Sequence, residues 1–321
     1  MKIVFMGTPD FSLPSLKKIN ESKHNLVAVV TAPDKERGRG KQISPTPIKE
    51  YAVNNNLKVL TPVKLSDAEF IKELKIIEPD LIVVVAFRIL PKEVYTIPRF
   101  GTFNLHGSLL PKFRGAAPIQ WSLIKGEDKT GVTTFFLEDK VDTGNVILRR
   151  EIEIEAKDNF GSLHDKMMLI GANTVMETID LIETGNYLLE AQDNSQASSA
   201  PKITKELCKI NFSDSVSNIH NLIRGLSPYP GAFFYISDNN YKAFESIYFD
   251  KNCDDLVREK IIIGADIQNV FINDLECQII QTKNEIFIRN ENGILQILEI
   301  QPEGRKRMKV AEFLRGYSLL K

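Results

Sequence analysis

Two side chains that could carry acid–base chemistry lie two residues apart in the first half of the chain. Asn104 and His106 fall at the end of a predicted strand, so both side chains project to the same face. Ligands of open parallel sheets bind beyond the carboxyl ends of the strands. An amide there can donate hydrogen bonds to a developing oxyanion, and a neutral imidazole can exchange a proton near pH 7. The pair is therefore a candidate active site.

A third polar side chain follows a predicted strand over residues 131–137. Asp142 lies in the turn Val141-Asp-Thr-Gly144, where its carboxylate could orient the imidazole or accept a proton. Both patterns are short, and on spacing alone an accidental occurrence of each remains an alternative. Asp-Thr-Gly is also typical of aspartic proteases, but those enzymes need two carboxylates that share a proton, and this sequence contains a single such tripeptide.

Strands and helices alternate through the first half of the chain. Short apolar runs at 2–7, 26–31, 81–85 and 102–105 are typical of buried parallel strands. Helical signals are a proline at position 14, a capping box at 66–69 and an apolar period over 160–182. This alternation predicts an α/β domain, a doubly wound parallel sheet of Rossmann-like type, over residues 1–189.

The second half of the chain has a different character. Residues 190–208 are small, polar and aperiodic, which predicts an interdomain linker. A short helix is expected over 213–225, and the runs that follow it are rich in β-branched and aromatic residues. Several short strands separated by turns, at 232–236, 260–263, 278–280 and 285–288, predict a C-terminal OB-like β-barrel over residues 209–321.

Composition limits the classes of protein to which the chain can belong. It has 321 residues, of which 43% are hydrophobic and 26% charged, and this favours two globular domains. The net charge of -1 means that any nucleic-acid surface must be local. Cys208, Cys253 and Cys277 lack the spacing of a metal or disulfide motif. Because neither a signal peptide nor an apolar run of about 20 residues is found, we expect a cytoplasmic protein without a membrane segment. We also expect a monomer.

A long combined motif resembles the folate-dependent formyltransferase family. Its parts are Asn104-Leu-His106, Ser108-Leu-Leu-Pro111, Arg114-Gly-Ala-Ala-Pro118 and Asp142-Thr-Gly144, and the resemblance runs over essentially the whole chain. It implies 10-formyltetrahydrofolate as the formyl donor and no metal. It also implies that Asn104 stabilises the tetrahedral oxyanion, that His106 is an acid or electrostatic partner, and that Asp142 helps to accept the proton of the attacking amine.

The same resemblance implies a binding site for the folate carrier and a wall for its pterin ring. The carrier residues would be Ser108, Leu109, Leu110 and Pro111, and the wall residues Phe87, Ile89 and Leu90. Ordinary core packing remains an alternative for the three wall residues. Arg88 departs from the family pattern, in which a small or uncharged residue is common, so the orientation of the wall stays open.

Three hypotheses compete for what the chain does with the formyl group. The acceptor is methionyl-tRNA, or it is a small phosphorylated amine or a nucleotide sugar amine, or the chain is a binding module without catalysis. Gly7-Thr-Pro-Asp10 is a poor phosphate cradle, which disfavours a small phosphorylated amine. Enzymes that formylate sugar amines share the motif Asn-Leu-His-Gly-Ser-Leu-Leu-Pro, so a sugar amine stays the nearest alternative acceptor. A pure binding module would not need all three polar groups at the site.

The tRNA hypothesis explains two further features of the sequence. A long loop interleaves Arg37, Arg39 and Lys41 with glycines, and the C-terminal tail carries Arg305, Lys306 and Arg307. Both could bind a phosphate backbone, although a solvated charge run remains an alternative for each. Taken with these features, the resemblance implies formyl transfer to the α-amino group of initiator methionyl-tRNA, which serves translation initiation.

Overall fold

The computed structural model describes residues 1–37, 42–251 and 265–320. The chain divides into two compact units, and each combines several segments of the sequence. The first unit comprises Met1–Pro118, Lys129–Glu153 and His164–Pro201. The second unit comprises Ile119–Asp128, Ile154–Leu163 and Lys202–Lys321.

The first unit is built on a mixed sheet with the strand order β10-β9-β7-β6-β1-β2-β5. Two smaller sheets pair β3 with β4 and β8 with β11. The strands are β1 (Lys2–Gly7), β2 (Asn25–Val30), β3 (Lys35–Arg37), β4 (Gln42–Ser44), β5 (Val59–Leu60), β6 (Leu81–Val85), β7 (Thr102–His106), β8 (Arg114–Gly115), β9 (Lys129–Phe136), β10 (Val146–Glu153) and β11 (Ser199–Ala200).

The predicted parallel sheet is confirmed for five neighbouring strands, β5, β2, β1, β6 and β7. Two antiparallel strands extend this sheet beyond β7. β9 runs antiparallel to β7, and β10 runs antiparallel to β9. Every residue of β6 is buried, as expected for a strand with both faces covered. The antiparallel pair was not predicted, because the direction of a strand depends on the connection before it and not on its composition.

Helices accompany both faces of this sheet. In chain order, the helices of the described residues are α1 (Leu13–Asn20), α2 (Pro47–Asn54), α3 (Ala68–Ile77), α4 (Lys92–Tyr95), α5 (Pro118–Ile124), α6 (Phe160–Thr184), α7 (Val216–Gly225) and α8 (Val310–Phe313). Of these, α7, α8 and all but the first residue of α5 belong to the second unit. On one face, Phe70 and Leu74 of α3 join the core cluster that includes Val84. On the other face α6 passes so close that a Cβ at Gly171 would lie 2.7 Å from a methyl carbon of Leu105. The doubly wound arrangement is therefore confirmed.

Two helix ends differ from the prediction in detail. The first helix ends at Asn20 and not near Lys23, and the hydroxyl of Ser22 donates to the carbonyl of Ile19, 2.7 Å away. The cap of α3 is Asp67 and not Ser66, because the Asp67 carboxylate accepts the hydrogen bond of the Glu69 backbone N–H. Both differences amount to one turn of helix or less.

The second unit contains the predicted β-barrel. Its strands are β12 (Ala232–Ile236), β13 (Asn239–Asp250), β14 (Asp266–Ile272), β15 (Leu275–Gln281), β16 (Ile286–Asn290), β17 (Gly293–Pro302) and β18 (Met308–Lys309). The sheet closes because β13 pairs with β12 on one side and with β17 on the other. Ile219 and Ile223 of α7 are buried in the same core cluster as Phe234. The predicted strand at 260–263 lies outside the described residues.

The cysteines of the described residues have the properties of inert core thiols. Cys208 and Cys277 are free and buried. Burial raises the pKa of the Cys208 thiol, and it raises the pKa of Cys277 to about 11, so neither is a thiolate near neutral pH. Cys253 lies outside the described residues.

None of the helices in the described part of the chain has both the length and the apolar composition of a membrane span.

Candidate active site

The candidate site lies where β7 ends. Asn104 pairs in register with Phe135 of β9, and His106 pairs with Thr133, so both side chains leave the strand on one face. His106 is 6% exposed, whereas Asn104 is half-buried. Within the described ranges the Asn104 amide makes no side-chain hydrogen bond, so its N–H groups are available to a ligand.

A backbone carbonyl determines which nitrogen of His106 carries the proton. Nε2 lies 2.8 Å from the carbonyl oxygen of Phe113, and a carbonyl can only accept, so Nε2–H is the donor. In the neutral ring the lone pair is then on Nδ1. This nitrogen lies 3.9 Å from Oδ2 of Asp142. The structure thus brings together two of the three predicted catalytic residues and turns the basic nitrogen of one toward the carboxylate of the other.

A backbone N–H holds the carboxylate of Asp142, and the backbone of Asp142 has an unusual conformation. Its Oδ2 accepts a hydrogen bond of 2.9 Å from the backbone N–H of Gly115. Its own backbone adopts φ 55°, a left-handed conformation that non-glycine residues seldom adopt. Gly115 has φ 127°, and a Cβ there would lie 2.6 Å from the carbonyl oxygen of Ala200, so this donor position requires glycine.

Two residues near the site were not found from the sequence, because they lie in the segment predicted as a linker. The side-chain NH₂ of Gln192 donates to the carbonyl oxygens of Asp142 and Gly144, at 3.0 and 2.8 Å. The hydroxyl oxygen of Ser198 accepts a hydrogen bond from the N–H of Phe113. No spacing signal marks either residue, since their partners are about 50 and 85 positions away.

The segment predicted to bind the folate carrier is fixed by its own hydrogen bonds. Ser108 is fully buried, and its hydroxyl donates to the carbonyl of Lys112. Thr133 ties the segment to β9, since its Oγ1 donates to the Ser108 carbonyl and accepts from the Leu110 N–H. Leu110 is buried, whereas Leu109 and Pro111 are half-buried, so these last two offer surface to a ligand.

The three predicted wall residues differ in exposure. Ile89 is 76% exposed, Phe87 packs partly buried against the core, and Leu90 lies inside the core cluster of the sheet. Between them Arg88 donates to the carbonyls of Pro62 and Val63, at 2.8 and 2.9 Å, and burial lowers its pKa. Arg88 therefore ties this segment to the loop after β5.

The predicted tRNA-binding residues are only partly within the described chain. Arg39 and Lys41 lie outside the described residues, and of Arg37 only the backbone, at the end of β3, is described. In the second unit Arg305, Lys306 and Arg307, predicted as a basic tail, are all exposed and lie in the connection between β17 and β18. Arg307 lies over the ring of Phe244 and forms an ion pair with Glu299. This ion pair partly neutralises the charge of Arg307.

Away from the candidate site, near the start of β2, the described residues include a cluster of side chains of the types that bind metal ions. His24, Asp180 and Glu183 bring ligand atoms within 4.8 Å of one another. The ammonium of Lys23 already lies 3.4 Å from Asp180 and 2.8 Å from Glu183. The pKa of Lys23 is raised and that of Glu183 lowered by their mutual hydrogen bond, so an internal cation neutralises these carboxylates.

Comparison with known proteins identifies the class to which this fold and site belong. Residues 1–179 match the formyl transferase family model, and residues 202–318 match the model of the formyl transferase C-terminal domain. The chain belongs to the formyl transferase family.

Particular relatives carry more specific names. The chain is 47% identical over 317 residues to the methionyl-tRNA formyltransferase of Flavobacterium johnsoniae, covering 98% of this chain and 96% of that protein. It is 44% identical to the methionyl-tRNA formyltransferase of Clostridioides difficile, covering 99% and 98%. Among solved structures, the sugar 3N-formyl transferase WlaRD, determined in the presence of dTDP and 5-N-formyl-THF, matches with TM-score 0.65 at 20% identity, covering 95% of this chain and 99% of that one. The likeness at 20% identity shows a common fold.

Proposed function

We propose that this chain transfers the formyl group of 10-formyltetrahydrofolate to the α-amino group of initiator methionyl-tRNA. One observation carries the proposal. Asn104 and the His106–Asp142 pair lie at one strand end of a chain that matches methionyl-tRNA formyltransferases over nearly its full length. Identities of 47% and 44% over nearly the full length, both to relatives named methionyl-tRNA formyltransferase, support this acceptor over the sugar amine.

The chemistry requires charge stabilisation and proton transfer. The amine nitrogen bonds to the formyl carbon while the bond from that carbon to the folate nitrogen breaks, so the amine loses a proton and the folate nitrogen gains one. Negative charge grows on the formyl oxygen, where the free amide of Asn104 donates a hydrogen bond. The proton is held by the pair of His106 Nδ1 and the Asp142 carboxylate, which are 3.9 Å apart.

In this proposal, the exposure of each predicted donor-site residue decides whether it contacts the folate or supports the residues that do. Leu109, Pro111, Phe87 and Ile89 offer apolar surface to the folate ring, and their half-buried or exposed side chains support that role. Ser108, Leu110 and Leu90 support the site from beneath, because they are buried and packed or hydrogen-bonded within the first unit. No metal enters this proposal.

We assign tRNA binding to two basic groups. Arg305, Lys306 and Arg307 present exposed cations on the C-terminal tail, and Arg37, Arg39 and Lys41 form the glycine-interleaved loop of the sequence. The domain division of this proposal is a catalytic domain at 1–189, a linker at 190–208 and a tRNA-binding domain at 209–321. The protein would act as a cytoplasmic monomer.

The acceptor is tested with purified protein and ¹³C-labelled formyl donor. Charged initiator tRNA and a dTDP-linked amino sugar are offered in separate reactions, and mass spectrometry follows the label. We expect label on the methionine released from tRNA and none on the sugar. Label on the sugar alone would overturn the proposal. A His106→Ala variant, purified in the same way, controls for formylation by a contaminating enzyme.

A further inference from the structure

Gln192 makes four hydrogen bonds with its side-chain amide, and all of them reach the surroundings of Asp142. Its NH₂ group donates to the carbonyl oxygens of Asp142 and Gly144. Its Oε1 accepts from Nε and Nη2 of Arg114, at 3.1 and 2.7 Å. Because a guanidinium only donates and a carbonyl only accepts, these partners allow a single orientation of the amide.

These contacts lie on both sides of the hydrogen bond that holds the Asp142 carboxylate. The donor end is the N–H of Gly115, the residue that follows Arg114, and the acceptor end is Asp142 itself. Gln192 holds Arg114 on one side and the Asp142 backbone on the other. One side chain thus links the segment that carries the Gly115 donor to the turn that carries the Asp142 acceptor.

The conformation of Asp142 explains why such a contact is needed. A non-glycine residue at φ 55° relaxes unless its surroundings hold it. Val141, beside it, is exposed, so packing on that side supplies little restraint. The Gln192 NH₂ group holds the carbonyls on both sides of Thr143 and so spans the turn.

We propose that Gln192 is a positioning residue for formyl transfer, which keeps the Asp142 carboxylate facing Nδ1 of His106. It touches neither reacting group, and it acts through the Asp142 turn. The inference rests on the proposed function, since it assigns Gln192 a role in the same reaction. Displacement of a reacting group by about 1 Å can cost about 10²-fold in rate. The hydrogen bonds of Gln192 oppose such a displacement of the Asp142 carboxylate.

Two variants separate this role from a purely structural contact. Gln192→Met keeps the length of the side chain and removes all four hydrogen bonds. Gln192→Glu retains an acceptor for Arg114 but cannot donate to Asp142 and Gly144. The matched control is Gln196→Ala, an exposed glutamine of the same segment whose amide bonds to Asp193.

We expect kcat of Gln192→Met and Gln192→Glu to fall by about 10- to 100-fold, with both KM values within about threefold of wild type. The control should keep wild-type kcat, and circular dichroism should show that each variant folds. If one variant does not fold, the other decides. A kcat within twofold of wild type would overturn the proposal, and so would rescue by Gln192→Glu, because the Arg114 contact alone would then suffice.

The two proposals fail in different ways. Wild-type protein that does not formylate methionyl-tRNA contradicts the proposed function, and the Gln192 variants are then compared on the dTDP-linked amino sugar. Wild-type activity on methionyl-tRNA combined with unchanged kcat in the Gln192 variants contradicts the positioning role alone.

Discussion

The strand-end site of the first unit and the basic tail of the second unit present their polar residues in opposite ways. At the site, His106 and Asp142 converge from residues 36 positions apart to a separation of 3.9 Å, among buried strands. On the tail, Arg305 and Lys306 are neighbours in sequence, both exposed. Glu299, close by, binds Arg307.

The difference follows from what each region must do. Acid–base chemistry needs groups held at fixed distances in a partly water-excluded place, so each side chain has a defined partner. Binding a phosphate backbone needs charge within reach of a polyanion, and exposed cations satisfy this requirement. Single substitutions should therefore have large effects at the strand end and small effects on the tail.

The largest effects are expected at the end of β7. His106→Ala should lower turnover by roughly 10²–10⁴-fold, since it removes a positioned acid–base group. Asn104→Ala should lower it by about 10²–10³-fold, as for the loss of one oxyanion donor. Steady-state kinetics on folded protein measures both. A folded variant that keeps half the wild-type turnover would contradict the assigned role.

Asp142→Asn should remove most activity while preserving the fold. The asparagine can still accept the Gly115 N–H through its amide oxygen, so the turn is retained, but the negative charge facing His106 is lost. Turnover and thermal melting of the same sample test this prediction. Near-normal turnover would reduce Asp142 to a residue that shapes the turn.

A smaller effect is expected on the tail. The double variant Arg305→Ala and Lys306→Ala should raise KM for methionyl-tRNA by several-fold and leave kcat and KM for the formyl donor unchanged. For every phosphate that the variant no longer binds, the slope of log affinity against log salt should become shallower by about 0.7–0.9. Lys283→Ala, an exposed cation in the turn between β15 and β16, is the control. A tail variant that behaves like this control would contradict tRNA binding there.

The last effect changes no catalytic step and concerns the stability of the barrel. Burial lowers the pKa of His220 from 6.5 to about 4. Between these values the unfolded chain binds the proton and the folded chain does not, so this contribution to stability is present above pH 6.5 and is lost as the pH falls toward 4. We expect a loss of about 1–3 kcal/mol. Urea unfolding should show a smaller loss over this range in His220→Gln, and equal losses would contradict the assignment.

Prediction from the sequence succeeded where the signal is local. The run Leu81–Val85 has the composition of a buried strand and is one, and the motif from Asn104 to Pro118 carries the family resemblance. The contacts of Gln192 could not be predicted, because its partners lie 48–78 positions away and its neighbours are polar and aperiodic. The tertiary fold, and not the pattern around it, gives that residue its environment.

The central claim is that His106 and Asp142 act as one pair on the proton of the amine. A double-mutant cycle with His106→Ala and Asp142→Asn tests it, with single-turnover formylation of methionyl-tRNA as the measurement. If the two residues act as a unit, the double variant will be about as slow as the slower single variant. If the two losses multiply, His106 and Asp142 act independently, and the pairing inferred from their 3.9 Å separation is contradicted.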